Sequence, residues 1–331
     1  MKSSFLPFFI TPFIAFSCFQ ANANVPFDGE VYGRLNVTRE EVKNRLTHEN
    51  EMETNTYFSH VGLNVNHDLN DTFTAFGKLE YVLLKDNESE HFEFDRFETA
   101  LVFVGIESKY GTVTYGDNEP PMKLSQYRVD VFNDHQGDIK YFIPGETLSS
   151  KLLTYKTPKF FDVVTFIGGT VLGDKGDKKP FKSTSSAVHI DLGRAYFAMG
   201  YEKDVQSGNL IQQKLDTLRL SSQYNFDHVQ LGALYQKSQN GKSFKTDYSA
   251  ESWLVSWLWN INSFDIKSQF GRTKEEIDHV SSERQQWTFG VDYSFTEYLK
   301  LVSYYSSLSN KTTSLYLSDE RRLGAGLEFN F

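Results

Sequence analysis

The sequence is most informative in what it lacks. Its 331 residues include one cysteine, Cys18, near the start of the chain, so no disulfide framework is available to hold a small secreted fold together. No apolar run reaches the roughly 20 residues that a helix needs to cross a bilayer. Proline is scarce, with 8 residues in all. These absences exclude a disulfide-rich scaffold and a membrane protein built from helices, and leave long stretches free to form strands.

Motifs for catalysis, metal binding and nucleic-acid binding are missing as well. The 8 histidines show no metal-ligand spacing, and no Gly-rich phosphate-binding loop is present. Lys and Arg number 34 against 43 Asp and Glu, and they form no basic patch suited to nucleic acid. We therefore expect no enzymatic activity, no cofactor and no nucleic-acid partner.

The first residues have the form of an export signal. Lys2 is followed by an apolar run of about 15 residues and then by the small residues Ala21 and Ala23. This pattern predicts a secretory signal peptide over residues 1–23, cleaved before Asn24. The alternative is a lipoprotein acylated at Cys18, but it needs a Leu-like residue where the chain has Ala15, so cleavage after Ala23 fits better.

From residue 30 onward, apolar and polar residues alternate. In the first segment Val31, Leu35 and Val37 share one face, while Tyr32 and Arg34 share the other. A period of two is typical of β-strands. The predicted strands lie near 30–38, 56–69, 72–84, 96–109, 112–118, 149–157, 161–171, 186–193, 194–202, 213–225, 228–237, 248–260, 263–272, 283–295, 298–308 and 320–331. The pattern predicts an all-β chain of about 16 strands.

The connections between these strands alternate between short and long. Short turns are expected at Asn70-Asp71, Tyr110-Gly111, Pro158-Lys159, Gly193, Phe226-Asp227, Asn262-Ser263 and Thr296-Glu297. Longer polar loops are expected over 39–55, 85–95, 173–185 and 273–282. Ten residues at about 3.3 Å each, tilted near 45°, rise roughly 23 Å, close to the apolar band of an outer membrane. The alternation predicts an antiparallel barrel with short periplasmic turns and long external loops.

The last segment of the chain indicates closure. Leu323, Leu327 and Phe331 share one face of an alternating run that reaches the final residue. An unpaired apolar strand is an aggregation site, and in lipid only a closed barrel satisfies every backbone group. We therefore predict a 16-stranded antiparallel transmembrane β-barrel in the outer membrane of a Gram-negative bacterium. A soluble β-sandwich also alternates, but it does not explain aromatic residues near strand ends, such as Trp259 and Tyr298.

The connection over residues 118–148 differs from the other loops in length and composition. It contains apolar residues that can pack, among them Phe132 and Phe142, and several acids. A loop this long in a compact domain is usually functional or disordered, and its apolar residues argue against disorder. Folding inward would bury these residues and present the acids to the lumen. The candidate acids are Glu119, Asp130, Asp134, Asp138 and Glu146.

An ordered series of short motifs runs through the chain. It comprises Val31-Tyr-Gly-Arg34, Ser59-His-Val-Gly-Leu-Asn64, Ala75-Phe-Gly-Lys-Leu-Glu-Tyr81, Val104-Gly-Ile106, Gly111-Thr-Val-Thr-Tyr-Gly116, Leu153-Thr-Tyr155 and the final Phe331. With these motifs, the mature chain over residues 24–331 resembles the general porins of Gram-negative bacteria. The resemblance implies a homotrimer of 16-stranded barrels whose third outer loop folds inward to form a constriction.

The same resemblance implies partners and a function. We expect contact with lipopolysaccharide and outer-membrane lipid, and insertion by the barrel assembly machinery, with Phe331 as the closure and assembly signal. Acids on the third loop would face basic residues on the opposite wall. The expected function is passive diffusion of ions and small hydrophilic solutes.

Carried over position by position, the basic wall is incomplete. Arg34 stands at the family's basic position in the first strand, but His60 replaces the usual Arg in the second and Ala100 in the fourth. Leu148 is the aligned residue after the third loop, with Lys151 nearby. The candidate pore-wall residues are Arg34, His60, Lys78, Glu80 and Lys151.

This loss of basic residues, with the acids kept, predicts a net negative constriction that prefers cations. Because His60 carries charge only when protonated, the preference should relax at mildly acidic pH. Other functions stay open. A sugar-specific channel would need a track of inward aromatic residues, for which Tyr32, Phe58 and Phe76 are candidates. An outer-membrane protease or phospholipase, and an adhesive barrel with a plugged lumen, are further alternatives.

Overall fold

The computed structural model describes residues 28–85, 94–173, 180–208, 210–211, 213–241, 247–312 and 316–331. The predicted signal residues Ala21 and Ala23 and the cleavage position Asn24 lie outside the described residues. Within the described part of the chain, no helix is both long and apolar enough to cross a membrane.

Strands account for most of the described residues. In chain order they are β1 (Asp28–Asn44), β2 (Asn50–Asn55), β3 (His60–Asn70), β4 (Phe73–Lys85), β5 (Phe94–Ser108), β6 (Gly111–Asn118), β7 (Ser149–Lys156), β8 (Val164–Leu172), β9 (Phe181–Asp191), β10 (Ala195–Gln206), β11 (Lys214–Phe226), β12 (Val229–Asn240), β13 (Tyr248–Ile261), β14 (Phe264–Ile277), β15 (Val280–Ser294), β16 (Leu299–Thr312) and β17 (Tyr316–Asn330). A short helix, α1 (Pro121–Leu124), and a 3-10 turn (Ile139–Tyr141) lie between β6 and β7.

The sheet closes on itself through β1. One edge of β1 pairs with β17, with Arg34 opposite Asn330, and its other edge pairs with β3 and then with β2. β2 and β3 are therefore two parts of one barrel strand, interrupted at residues 56–59. The final residue takes part in closure, since Gly33 N donates to Phe331 O at 2.9 Å and Phe331 N donates to Gly33 O at 3.0 Å. The result is a closed antiparallel barrel of 16 strands, as predicted.

The two faces of the barrel wall follow the predicted alternation. Val31, Leu35 and Val37 are exposed on the outer face, whereas the neighbouring Asn36 and Thr38 are buried on the inner face. Exposed aromatic residues gather near strand ends, where they would meet the membrane interface. They include Tyr224, Trp259, Phe295 and Tyr298.

The connections that were predicted to be short share one end of the barrel, at 71–72, 109–110, 157–163, 192–194, 227–228, 262–263 and 295–298. We call this end the turn end and the opposite end the loop end. The first residue of β1 and the final residue, Phe331, both lie at the turn end.

Two of the predicted outer loops are largely strand. The prediction of a loop over 39–55 was wrong, because β1 continues to Asn44 and β2 already begins at Asn50. The prediction over 273–282 was also wrong, because β14 and β15 are joined by two residues, 278–279. Polar cross-strand contacts hold these extensions, such as Arg39 Nη1 to Thr54 Oγ1 at 2.8 Å. Strands that are polar on both faces leave no apolar alternation for a sequence pattern to detect.

Candidate functional site

Residues 119–148, which connect β6 to β7, lie inside the barrel; we call them the inserted segment. Their partners are inner-face residues of β9–β16, which we call the loop-bearing wall. Apolar residues of the segment, including Met122, Val129 and Phe142, have no exposed surface. The predicted inward packing of this connection is therefore present in the structure.

Neutral side chains of the wall bind the backbone of the inserted segment. Gln236 Nε2 donates to Pro144 O at 2.7 Å, Gln269 Nε2 to Gly137 O at 2.9 Å, and Gln286 Nε2 to Gln136 O at 2.9 Å. At the other end of the segment, Met122 N donates to Ser185 Oγ at 2.9 Å. These bonds satisfy backbone groups that have no partner in a helix or sheet, which is the condition for burying an irregular segment.

Wall glycines make room for the segment's aromatic rings. A Cβ at Gly271 would collide with the ring of Phe142, and a Cβ at Gly290 would lie 2.9 Å from Phe132 Cε1. Phe142 belongs to a buried apolar cluster with Val129 of the segment and with Leu234 and Leu254 of the wall, among others. Close packing therefore adds to the hydrogen bonds in fixing the segment's position.

A buried ion pair fixes the end of the segment. Arg219, on β11, is fully buried and its guanidinium forms an ion pair with Glu146. Arg219 Nε also donates to Gln236 Oε1 at 2.8 Å. Breaking such a pair leaves a buried charge without compensation, so removal of either partner is strongly destabilising.

The tip of the segment reaches the strands that close the barrel. Asp134 Oδ2 lies 3.5 Å from Arg34 Nη1, and His135 Nε2 lies 3.3 Å from Glu328 Oε2. Tyr57, in the break between β2 and β3, places its hydroxyl 2.9 Å from Gln136 Oε1. The segment therefore crosses the barrel interior from the loop-bearing wall to the β1–β17 seam.

An opening remains between the inserted segment and the opposite wall; we call it the passage. It is a cavity of about 350 Å³. The wall side, formed by β3–β5 and the residues before β3, is called the open wall and contributes Phe58, His60, Lys78, Glu80, Ala100 and Leu101. The inserted segment contributes Glu119, Lys123, Asn133, Asp134, Asp138, Lys140, Glu146 and Leu148. Five carboxylates and three lysines thus line the passage.

On the open wall, opposite charges lie side by side. Lys78 Nζ is 3.4 Å from Glu80 Oε2, and Tyr32 OH donates to the same oxygen at 2.6 Å. His60 Nε2 lies 4.0 Å from Glu80, and the His60 ring packs against Tyr32 and Phe58. Glu80 thus has a lysine, a histidine and a tyrosine hydroxyl as neighbours. The open wall presents a carboxylate paired with an ammonium group rather than a row of basic side chains.

The inserted segment also carries paired charges. Lys123 Nζ lies 2.9 Å from Glu119 Oε1, and Lys140 Nζ lies 3.2 Å from Asp138 Oδ2. Burial alone would lower the pKa of each lysine, but the neighbouring carboxylates outweigh it and the pKa of both is raised. Burial raises the pKa of Asp134, against the opposing effect of Arg34. Both lysines therefore stay charged at neutral pH.

The predicted site residues do not all meet at the passage. Asp130 is buried and accepts hydrogen bonds from Phe132 N and Ile139 N, both at 3.0 Å, so it organises the segment's backbone and faces away from the passage. Lys151 is exposed at a bulge of β7, with φ of 54°, and does not line the passage. Arg34 lies behind Asp134 rather than on the cavity surface.

Three basic residues of the site were missed from the sequence. Lys123 and Lys140 lie in a segment without a periodic pattern of apolar residues, so the direction of their side chains could not be inferred. The four-residue spacing of Glu119 and Lys123 was the one available signal for a pair. Arg219 is an inner-face residue of an alternating strand, and only the docked segment identifies its partner. Among the described residues, no group of three or more His, Cys, Asp or Glu is arranged to hold a metal ion.

Comparison with known protein families identifies this barrel. A family model described as Gram-negative porin matches residues 11–313. The chain belongs to the Gram-negative porin family. As a member of this family, it is a multi-pass β-barrel of the outer membrane and forms a diffusion channel there.

Named relatives of this porin are distant in sequence. Outer membrane porin protein LC of Enterobacteria phage PA-2 is 22% identical over 287 residues, which cover 80% of this chain and 69% of the relative. The putative outer membrane porin protein NmpC of Escherichia coli K12 is 21% identical over 285 residues, with the same coverage of 80% and 69%. Both names agree with the family assignment.

Solved structures share the fold of this porin at still lower identity. An anion-selective porin from Comamonas acidovorans has a TM-score of 0.71 and 16% identity, covering 92% of this chain and 100% of that one. A loop-deletion variant of OmpT, an outer membrane protein of Vibrio cholerae, has a TM-score of 0.71 and 13% identity, with coverage of 92% and 99%. The outer membrane channel DcaP of Acinetobacter baumannii has a TM-score of 0.71 and 10% identity, covering 94% and 99%.

Proposed function

We propose that the passage is the constriction of a channel for ions and small hydrophilic solutes, with a weak preference for cations. The observation that supports this proposal is the lining of the passage, where five carboxylates stand against three lysines. Rings of fixed charge select ions of opposite sign, and walls of low dielectric strengthen their field.

The preference is weak because two arginines lie behind the lining. Arg34 is 3.5 Å from Asp134, and Arg219 is paired with Glu146. In number these two cations match the two carboxylates in excess of the lysines, but they lie behind the lining, so only the surface of the passage keeps a negative excess. The other three carboxylates of the lining are paired with lysines: Glu80 with Lys78, Glu119 with Lys123 and Asp138 with Lys140.

Reversal potentials in a potassium chloride gradient, measured across planar bilayers, test this proposal. We expect a permeability ratio for potassium over chloride modestly above one at neutral pH. Lys140→Gln should raise the ratio and Asp138→Asn should lower it, because each removes one charge from the lining. Arg194→Gln, at an exposed ion pair with Asp227, is the control and should leave the ratio unchanged. A preference for chloride at neutral pH would contradict the proposal.

We propose that the protein works as a homotrimer whose short turns face the periplasm. One similar solved structure, OmpT of Vibrio cholerae, is described as a trimer form. Mass measurement of the detergent-extracted protein, before and after heating, tests the assembly.

We also propose that lipopolysaccharide contacts the loop end, where Arg39, Lys43 and Lys274 are exposed. Insertion by the barrel assembly machinery, with Phe331 as its signal, belongs to the same proposal. Deleting Phe331 should reduce the amount of folded protein in the outer membrane, whereas assembly at normal levels would contradict it.

A sugar-specific channel is the alternative and is less well supported. Tyr32 and Phe58 both pack against His60, whereas Phe76 forms a separate edge-to-face pair with Phe103. The three rings thus form no continuous track for stacking a sugar. Liposome swelling with a series of sugars would decide, since a specific channel admits its own sugar faster than smaller ones.

A further inference from the structure

A second polar cavity lies beside the inserted segment; we call it the vestibule. It has a volume of about 580 Å³. Gln230 and Lys300, which line it, are the second residues of β12 and β16, so the vestibule lies toward the turn end. Glu119, Lys123 and Asn133 line both the vestibule and the passage, so the two spaces adjoin at these residues.

The acids of the vestibule are already engaged. Glu119 is paired with Lys123 at 2.9 Å, and Asp292 with Lys267 at 2.8 Å. The remaining two, which have no cationic partner, accept hydrogen bonds instead. They are Asp130, bonded by two backbone N–H groups, and Asp265, bonded by Asn260 Nδ2 at 2.6 Å.

Two cations that line the vestibule have no carboxylate in contact with them. Among the described residues, no carboxylate oxygen lies within 4.0 Å of Arg128 or Lys300. Arg128 is exposed and Lys300 is partly exposed, so both can reach a solute. Lys300 stands opposite Glu328 across the β16–β17 pair, and this carboxylate compensates part of its charge from a longer distance. Cations whose charge is at most partly compensated attract anions to a polar cavity.

The backbone around Arg128 is held in a fixed and unusual conformation. Tyr127 has a φ of 49°, in the left-handed region that tyrosine rarely adopts. Its ring stacks on Tyr196 with centroids 4.3 Å apart, and Arg128 Cζ lies 5.6 Å from the centre of the Tyr127 ring. Gln230 Nε2 donates to Arg128 O at 2.8 Å. Backbone strain that the surroundings maintain is frequent at binding sites.

Apolar side chains complete the vestibule. Leu124, Val131 and Leu258 line it together with the Tyr127 ring. The vestibule is mainly polar, and these side chains give it an apolar patch beside placed polar groups, two features that small-molecule sites combine.

We propose that the vestibule is a binding subsite for small organic anions. Arg128 and Lys300 bind the carboxylate or phosphate group of the solute, and the apolar residues receive its body. The subsite rests on the assignment of the protein as a channel and does not require the cation preference of the passage. An anion bound there lies next to the passage and obstructs the ion current.

Single-channel recording with benzoate added to each side in turn tests the subsite. We expect a saturable, concentration-dependent block that is stronger from the turn end. Arg128→Gln and Lys300→Gln should each raise the half-blocking concentration about tenfold, the usual effect of losing one charge-assisted contact. Benzamide, the uncharged isostere, should block weakly, and inorganic phosphate should block less than benzoate because it has no apolar body.

Arg194→Gln is the matched control, since it removes an exposed cation near the turn end that does not line the vestibule. An equal effect of Arg194→Gln would mean that surface potential causes the block, and would overturn the proposal. Equal block by benzamide or by phosphate would overturn it too. A conducting channel that benzoate does not block refutes the subsite alone, whereas absence of any conductance refutes the channel. Heat-modifiable migration on gels confirms that each variant is folded before recording.

Discussion

The loop-bearing wall and the open wall meet the lumen with different side chains. On the loop-bearing wall, neutral amides such as Gln269 and Gln286 bind backbone carbonyls of the inserted segment, and Gly271 admits an aromatic ring. On the open wall, Lys78, Glu80 and His60 remain at the surface of the passage. The loop-bearing wall thus holds the inserted segment, whereas the open wall leaves its charged side chains at the surface of the passage.

The physical reason lies in the cost of desolvation. A neutral amide satisfies a buried carbonyl without removing a charge from water, so it fixes the segment at little cost and without dependence on salt. A charged side chain acts on a solute only where its electric field reaches that solute, and this requires a surface open to the lumen. Buried ion pairs depart from this rule, among them Lys267–Asp292 within the loop-bearing wall and Arg219–Glu146. Only the second of these two joins the wall to the inserted segment, so we expect the docking of the segment to be most sensitive there.

The largest effect is expected from breaking that pair. Arg219→Met should destabilise the protein by about 3–5 kcal/mol, because Glu146 is left buried without a counter-charge. The matched change Arg194→Met breaks an exposed pair and should cost about 0–1 kcal/mol. Thermal unfolding of both variants in detergent, followed by circular dichroism, checks the difference. Equal losses would show that the segment does not depend on this pair.

A smaller effect is expected from filling the space that a wall glycine leaves. Gly271→Ala introduces a Cβ into the position of the Phe142 ring and should cost about 1–3 kcal/mol. Gly168→Ala is the control, since its Cβ would meet no atom within 4 Å. Hydrogen exchange across residues 119–148 should rise in the first variant and stay unchanged in the second. Similar exchange in both would argue against docking through this glycine.

Loss of one neutral hydrogen bond should have a comparable or smaller effect. Gln286→Leu removes the donor to Gln136 O and should cost about 1–2 kcal/mol. Gln285→Leu, one residue earlier and on the outer face, keeps this bond and serves as the control. Current noise in single-channel recordings should increase for the first variant, because the tip of the segment is held less firmly. Noise that is the same in both variants would contradict the role given to the wall amides.

The smallest effect concerns charge in the passage. Burial raises the pKa of Asp134, so this group gains a proton at a higher pH than an exposed aspartate does. As the pH falls below neutral, the passage therefore loses negative charge and the cation preference declines. Asp134→Asn should lower the permeability ratio about twofold at neutral pH, and it should remove this step of the pH dependence. Reversal potentials from neutral pH down to about 4 measure both. The same pH profile in wild type and variant would exclude Asp134.

Parts of the fold were predictable because they depend on one strong pattern. A wall with lipid outside and water inside requires strict alternation, and Val31, Leu35 and Val37 show it directly. The strand extensions that form the hairpin around 278–279 were not predictable, because they lie where both faces are polar. The candidate site was predicted only in part. The acids Asp134 and Asp138 do line the passage, whereas Asp130 serves the backbone and Lys151 lies elsewhere.

By itself, the sequence determined that this chain closes into a barrel, where the strand segments with apolar alternation lie and which connection is unusual. The reason is that burial in lipid constrains every second residue over hundreds of positions. Only the tertiary structure decided which charges of the inserted segment meet the passage, that Lys123 and Lys140 accompany its acids, and that Arg128 and Lys300 share a second cavity. The direction of a side chain in an irregular segment depends on hydrogen bonds and packing with strands far away in the chain, and no local pattern records those contacts.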